Sequence, residues 1–339
     1  MSAVTSAGPR RSALLREVGE DGLVSALLAR YAAPSAVLVV GPGDDAAVLD
    51  AAGRVVVSTD TLVEGADFRQ EWAGGADVGA KVAAQNFADV AAMAARPLAL
   101  VVSLAAPPDL PVAWADDLAA GLDDECARAG AAIAGGDVSQ ADEIVVTGTA
   151  IGVLPGAPVL RSGARPGDVV ALAGAPGASA AGLALLAATG SPEAAAALSP
   201  SAAALVRAHL APRPPYAAGP DAGRAGATAL IDTSDGLLRD AGRVATASGV
   251  RIDLDLDALA PDADLRSAAR AVGDPALAAR WVLTGGEDHA LVACFPRGAA
   301  MPASFRPVGR VLDAAGDGRG EVLVDGSVWT GPDGWRHFS

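Results

Sequence analysis

The chain has 339 residues, 51% hydrophobic and 19% charged, a balance that excludes an intrinsically disordered polymer. Forty acidic residues against 25 basic ones leave a formal net charge of −15. That argues against non-specific nucleic-acid binding, which runs on Lys and Arg neutralising phosphates. Residues 11–31 predict an amphipathic helix, with Leu14, Leu15, Val18, Leu23, Val24, Leu27 and Leu28 on its apolar side. Val37–Val40 is a short apolar run stopped by Gly41-Pro42-Gly43; Ala46–Leu49 and Val55–Ser58 are strand-like around a polar turn. Asp77–Ala95 is helical by length, and Leu98–Leu104 reads as a buried strand between prolines. Trp114, Leu118, Leu122 and Cys126 recur every four residues and predict a helix over 111–129. Ile144–Val153 is again strand-like.

Leu154-Pro155-Gly156-Ala157-Pro158 reads as a boundary, dividing the chain into domains 1–155 and 156–339. Beyond it the pattern predicts a strand at 169–173, helices at 178–188, 199–209 and 213–224, and a strand at 227–231. A helix at 236–248, a strand at 251–255, a helix at 275–282, a strand at 289–295 and short strands complete it. Strands and helices alternate in both halves, so the fold class is α/β or α+β with two domains. Residues 169–192 carry no charge and are long enough to span a bilayer. Their glycines and prolines predict a strand, a tight turn and a small-residue helix instead, so no membrane is expected. Arg10–Arg11 precede no apolar signal core, and Cys126 and Cys294 have no CxxC or Cys/His cluster around them. A zinc ribbon and a disulfide framework are excluded, and a cytoplasmic location is expected.

The carboxylates sit in unusual places. Gly43-Asp44-Asp45 leads into an apolar run, and Ser58-Thr59-Asp60-Thr61 is expected to end the strand of Val55–Val57. Gly135-Gly136-Asp137 follows apolar Ala131–Ala134, Asp232-Thr233-Ser234-Asp235-Gly236 follows the strand ending at Ile231, and Gly285-Gly286-Glu287-Asp288 precedes another strand. Asp89 shares a helix face with Lys81, the sole lysine, and Gln85. Asp at a strand end is often only the N-cap of the next helix, and Asp232 and Ser234 fit that reading too. Several such sites in one chain point to hard cations, which take oxygen ligands and bind through carboxylates plus substrate phosphates. A P-loop, a Rossmann fingerprint and protein-kinase motifs are absent. His209 reads as a helix-surface residue, and His289 and His337 have no His or Cys partner nearby in sequence, so a His-based hydrolase is unsupported.

In order, Gly43–Leu49, Ser58–Gly65, Gln85–Met93, Gly135–Asp137, Arg161–Asp168, Asp232–Leu237, Gly285–Asp288 and the tail Gly334–Phe338 resemble the thiamine-monophosphate kinase family. The resemblance implies the fold shared with aminoimidazole-ribonucleotide synthetase. Its N-terminal α/β domain binds ATP and Mg²⁺ and pairs in a homodimer, and a C-terminal α/β domain completes the ATP and substrate site. It implies ATP-dependent phosphorylation of thiamine monophosphate to thiamine diphosphate by in-line transfer with several Mg²⁺ ions. It carries over Asp45, Ser58, Thr59, Asp60, Asp89, Asp137, Asp232 and Asp235 as metal ligands. Gly136, Asp137, Arg161 and Ser234 match ATP contacts, and Glu287 and Trp335 match substrate contacts. Asp67 stands at a substrate-contacting position where the family often has His, Ala94 replaces a usual Gly, and His289 stands where Tyr is common.

The chemistry suits these residues. A phosphate monoester has a second pKa of ~6 and is largely a dianion at neutral pH, so no side chain need act as acid or base. Arg161 offers a planar fork for phosphate oxygens, and Trp335 either stacks on a ring of thiamine or packs the tail. Selenophosphate synthetase and aminoimidazole-ribonucleotide synthetase stay open as sister readings. No Cys precedes Cys126, against the first. An acidic Ca²⁺-binding structural module would need its ligands in one short loop, whereas these are dispersed.

Overall fold

The computed structural model describes residues 11–31, 36–43, 46–314 and 320–335. The chain forms two compact units, the first from residues 1–52, 57–86 and 98–151, the second from 53–56, 87–97 and 152–339. In chain order come α1 (Leu15–Arg30), β1 (Leu38–Val40), β2 (Val48–Leu49), β3 (Arg54–Val63), α2 (Gly75–Ala92), β4 (Arg96–Ala106), α3 (Val112–Ala129), β5 (Ala132–Gln140) and β6 (Val145–Leu154). Then follow β7 (Val169–Ala173), α4 (Ala178–Thr189), α5 (Pro192–Ala196), α6 (Pro200–Leu210), α7 (Ala218–Arg224), β8 (Ala229–Asp232) and α8 (Leu237–Ser248). Last come β9 (Arg251–Leu254), α9 (Ala263–Ala271), α10 (Leu277–Thr284), β10 (Leu291–Phe295), β11 (Arg306–Leu312), β12 (Val322–Val324) and β13 (Ser327–Val328).

The first unit is built on a four-stranded sheet in the order β3-β6-β4-β5, with β4 and β5 parallel. β1 and β2 pair separately as a small antiparallel ribbon. Helices α2 and α3 meet backbone to backbone: a Cβ added at Gly121 would lie 2.0 Å from the Ala76 carbonyl oxygen. Strand β3 corrects the expectation that Ser58-Thr59-Asp60-Thr61 ends it, because it runs straight through to Val63. Its side chains alternate, placing Val55, Val57, Thr59 and Thr61 on an exposed face and Ser58, Asp60 and Leu62 on the other. The threonines are not a stop signal, because their hydroxyls pair with those of β6, Thr59 with Thr149 at 3.1 Å and Thr61 with Thr147 at 2.9 Å.

The second unit holds a seven-stranded sheet in the order β13-β12-β9-β11-β7-β10-β8. Only the β9–β12 pair is parallel; the others are antiparallel. Its core is mainly Val, Leu, Ile and Ala, with Leu172, Leu185, Leu186, Ile252, Leu254 and Leu291 fully buried. Val169–Pro192 forms β7, a turn and α4, and no helix among the described residues is long and apolar enough to cross a membrane. Gly182 lets α4 and α6 touch, since a Cβ there would lie 2.2 Å from the Leu205 carbonyl oxygen. Two helices were not anticipated. α5 starts at Ser191, whose side chain accepts the Ala194 N–H, with Pro192 following; α9 starts at Asp262, which accepts the Leu265 N–H. The stretch expected as helix from 213 becomes helical only at Ala218.

Candidate active site

In the first unit the edge strand β3 carries Ser58 and Asp60 on one face. The Asp60 N–H is held at 3.0 Å by Oδ1 of Asn86, a fully buried residue of α2. Thr59 points the other way and donates to the Gly148 carbonyl at 2.8 Å, so its hydroxyl is not on the Asp60 face. Asp137 and Gly136 are exposed, inside β5 rather than after it. Asp67 turns back on its own segment, Oδ2 accepting the Val63 N–H at 2.8 Å, while Lys81 Nζ donates to the Asp67 carbonyl at 3.0 Å. Lys81 and Gln85 are buried, so the helix face they share with Asp89 is an inward one. Asp44 and Asp45 lie outside the described residues.

In the second unit the sheet topology gathers three loops. β10 lies between β7 and β8 and runs antiparallel to both, with Leu291 opposite Ala173 and opposite Asp232. The loops after β7 and after β8 and the one before β10 therefore share one end of the sheet. Backbone bonds lace the last two: Glu287 N–H to the Ser234 carbonyl at 2.8 Å, His289 N–H to the Thr233 carbonyl at 3.1 Å, Thr233 N–H to the Ala290 carbonyl at 2.8 Å. Glu287 and His289 adopt positive φ, 62° and 49°, which suits a loop that must aim consecutive side chains apart. Glu287 reaches His209, with Oε2 at 3.4 Å from Nδ1. Asp288 accepts the Gly177 and Ser179 N–H groups at 2.5 and 2.7 Å, at the start of α4. His289 Nδ1 lies 3.2 Å from Asp232 Oδ2.

The electrostatics follow from burial. Desolvation pulls the His289 pKa down, but Asp232, Glu287 and Asp89 outweigh it, and the net shift is upward. Burial, then the neighbouring Asp232, pushes the Asp240 carboxyl up to about 7, against the pull of Arg243. Asp235 is engaged by Arg243 and, at 3.4 Å, by Arg239 Nε, and its N–H donates to Asp240 at 3.0 Å. Arg161 lines an open cleft of about 780 Å³ beside α8, with Arg239, Arg243 and Trp329. The tail closes on the same loop, because the Trp335 N–H donates to the Asp235 carbonyl at 2.9 Å. Trp335 itself is 61% exposed.

His209 corrects the surface reading: it is 7% exposed and 3.0 Å from Ser179 Oγ. The signal was available, since Ala202, Leu205, Val206 and His209 recur at helical spacing on the buried side of α6. Asn86 lies within the Gln85–Met93 motif, where nothing in the sequence gives it a role. Among the described residues no three His, Cys, Asp or Glu side chains stand together as a metal-holding group. The donors themselves suit a hard cation, being carboxylates and hydroxyls without sulfur. Thr233 Oγ1, between Asp232 and Ser234, is buried with no hydrogen-bond partner among the described residues.

A family model, AIR synthase related protein, N-terminal domain, matches residues 43–154. The crystal structure of thiamine-monophosphate kinase from Stenotrophomonas maltophilia aligns with a TM-score of 0.77 at 29% identity, covering 91% of this chain and 96% of that one. The solved structure of AaThiL complexed with AMPPCP and TMP aligns with a TM-score of 0.74 at 30% identity, covering 96% and 98%. Residues 43–154 thus carry an AIR-synthase-related domain, within a fold shared with solved thiamine-monophosphate kinases. The thiamine-monophosphate kinase of Mycobacterium tuberculosis is 50% identical over 331 residues, 96% of this chain and 94% of its own. The chain belongs to the thiamine-monophosphate kinase family.

Proposed function

We propose that the protein transfers the terminal phosphoryl group of ATP directly to the phosphate of thiamine monophosphate, giving thiamine diphosphate and ADP. The observation that carries this reading is the 50% identity to the Mycobacterium tuberculosis kinase along nearly the whole chain. The likeness to a structure complexed with AMPPCP and TMP supports the same pair of substrates.

The acceptor oxygen is already anionic near neutral pH, so this chain needs no general base for it. Its task is to place two polyanions in line and offset their charge. Asp60, Asp137, Ser58, Asp89 and Asp232 would each offer oxygen to Mg²⁺. Bound there, Mg²⁺ would supply the positive charge that this acidic chain lacks. Thr59, facing away, would offer its carbonyl, and Asp235 would have to loosen from Arg243 and Arg239 to serve as a ligand. Asp45 belongs to the same ligand set by family resemblance. Gly136, Asp137, Arg161 and Ser234 would contact ATP, and Glu287 and Trp335 the thiamine moiety. Asp67, spent on the Val63 N–H, would shape the loop beside the substrate rather than grip it. Residues 1–155 would form the ATP, metal and pairing half, and 156–339 the half that completes the site. The exposed Val55, Val57 and Val101 support pairing with a second copy through the first sheet.

A product assay with ATP, Mg²⁺ and thiamine monophosphate, with free thiamine as control, tests the reading. Thiamine diphosphate forms only from the monophosphate if it holds; equal turnover of free thiamine overturns it.

A further inference from the structure

We propose that His209 is a positioning residue whose imidazole, braced by Ser179, aims the Glu287 carboxylate at the thiamine moiety. The proposal rests on the reading of Glu287 as a substrate contact.

The bracing is built from the fold upward. α4 is a helix of small residues, and at Gly182 the missing Cβ brings α6 close enough that a methyl there would lie 3.0 Å from the His209 Cβ. That crossing delivers the His209 ring into the interior of the second unit. A buried imidazole needs polar partners, and Nδ1 finds Ser179 Oγ at 3.0 Å and Glu287 Oε2 at 3.4 Å. Ser179 is itself fixed, because its N–H donates to Asp288 at 2.7 Å. The ring therefore stands on a rigid helix start, with Nδ1 facing both the Ser179 hydroxyl and the Glu287 carboxylate.

Glu287 is the side chain that gains from this. Its neighbours are committed to the fold, Asp288 to the first N–H groups of α4 and His289 to Asp232. Glu287 keeps 36% of its side chain exposed, and its backbone is pinned at positive φ with its N–H on Ser234. A half-exposed Glu samples several rotamers, and ordering it on binding costs conformational entropy. A buried partner on one carboxylate oxygen fixes the rotamer of the side chain before substrate arrives. The amino and cationic rings of thiamine are what such a carboxylate suits.

The test uses the full-length enzyme and the variants His209→Ala, His209→Asn, Ser179→Ala and Glu287→Gln. His209→Ala is expected to raise the KM for thiamine monophosphate about tenfold, with the ATP constant within about twofold. His209→Asn, whose amide N–H lies near the place of Nδ1, is expected to recover part of the loss. In the Glu287→Gln background His209→Ala should add less than about twofold, because the carboxylate it aims is gone. Equal shifts in both Michaelis constants, or losses that multiply in the double variant, overturn the proposal. The ¹H–¹⁵N spectrum of the histidine rings separates the two claims. The His209 Nδ1 resonance is expected to move in Glu287→Gln, and an unmoved resonance overturns the bracing. An unchanged KM for thiamine monophosphate in Glu287→Gln instead removes the substrate reading of Glu287. If His209→Ala melts early, Ser179→Ala carries the same kinetic comparison.

Discussion

The Asn86 side chain is built into the first sheet beside Asp60: Oδ1 accepts the Asp60 N–H at 3.0 Å and Nδ2 donates to the Val82 carbonyl at 2.8 Å. Room for it comes from β6, where a Cβ at Gly148 would lie 2.5 Å from Asn86 Nδ2. Asn86→Ala orphans a part-buried N–H on the strand that carries a proposed metal ligand. It is expected to cost ~1–3 kcal/mol in urea denaturation and to weaken activation by Mg²⁺. A variant with unchanged stability and an unchanged Mg²⁺ titration would count against this placement.

Asp60→Asn and Asp137→Asn are each expected to abolish turnover while the fold survives. Each removes a charge that would offset a bound cation, and neither residue is fully buried. Turnover across a Mg²⁺ titration, with circular dichroism melts of the same samples, checks this. Near wild-type activity at limiting Mg²⁺ in either variant removes that residue from the ligand set.

Trp335→Ala is expected to raise the KM for thiamine monophosphate by roughly five- to a hundred-fold, as loss of ring stacking is worth ~1–3 kcal/mol. The ATP constant should hold, and so should the melting temperature, because Trp335 is 61% exposed. Trp335→Phe keeps a smaller face and is expected to recover part of the affinity. A fall in melting temperature with parallel shifts of both constants would mark a packing role.

Burial raises the Asp288 carboxyl to about 7, from an ordinary value of 3.8, against the lowering pull of the Ser179 and Gly177 N–H groups. The folded protein thus holds this proton more tightly than the unfolded chain. Its contribution to stability is complete below about pH 4 and is lost as pH rises through 7. Asp288→Asn cannot titrate, so wild type is expected to lose stability relative to it by a few kcal/mol between pH 4 and 8, at ~1.4 kcal/mol per unit. Urea denaturation of both proteins at the two ends of that range checks the sign; a constant difference between them refutes it.

Much of the fold was legible because its signals are local. The four-residue recurrence of Trp114, Leu118, Leu122 and Cys126 lies within α3, and glycines mark the acidic loops. What escaped depends on distant partners. Thr59 and Thr61 looked like the end of a strand because Thr149 and Thr147, which satisfy them, lie 90 and 86 positions away. The same holds for Asp235, whose carboxylate suggested a metal and whose nearest cations are Arg243 and Arg239. The candidate residues were visible as types, whereas the direction of each side chain, as with Thr59 and Asp67, came only from the backbone.

The place of β10 between β7 and β8 also sets an order of events as the chain is made. The two outer strands come off the ribosome first, yet neither can bond to the other until the strand that separates them has followed. The loop carrying Glu287, Asp288 and His289 leads directly into that strand, so these three residues reach their places as β10 joins β7 to β8, while β9 still waits for β11. Until then the apolar faces of β7 and β8 wait unpaired, and long-range strand pairing of this kind is slow and exposed to aggregation. Stalled chains in which Leu291–Phe295 has not yet left the ribosome are therefore the ones most dependent on chaperones, and those long enough to release it are the first able to pair β7 with β8 through β10.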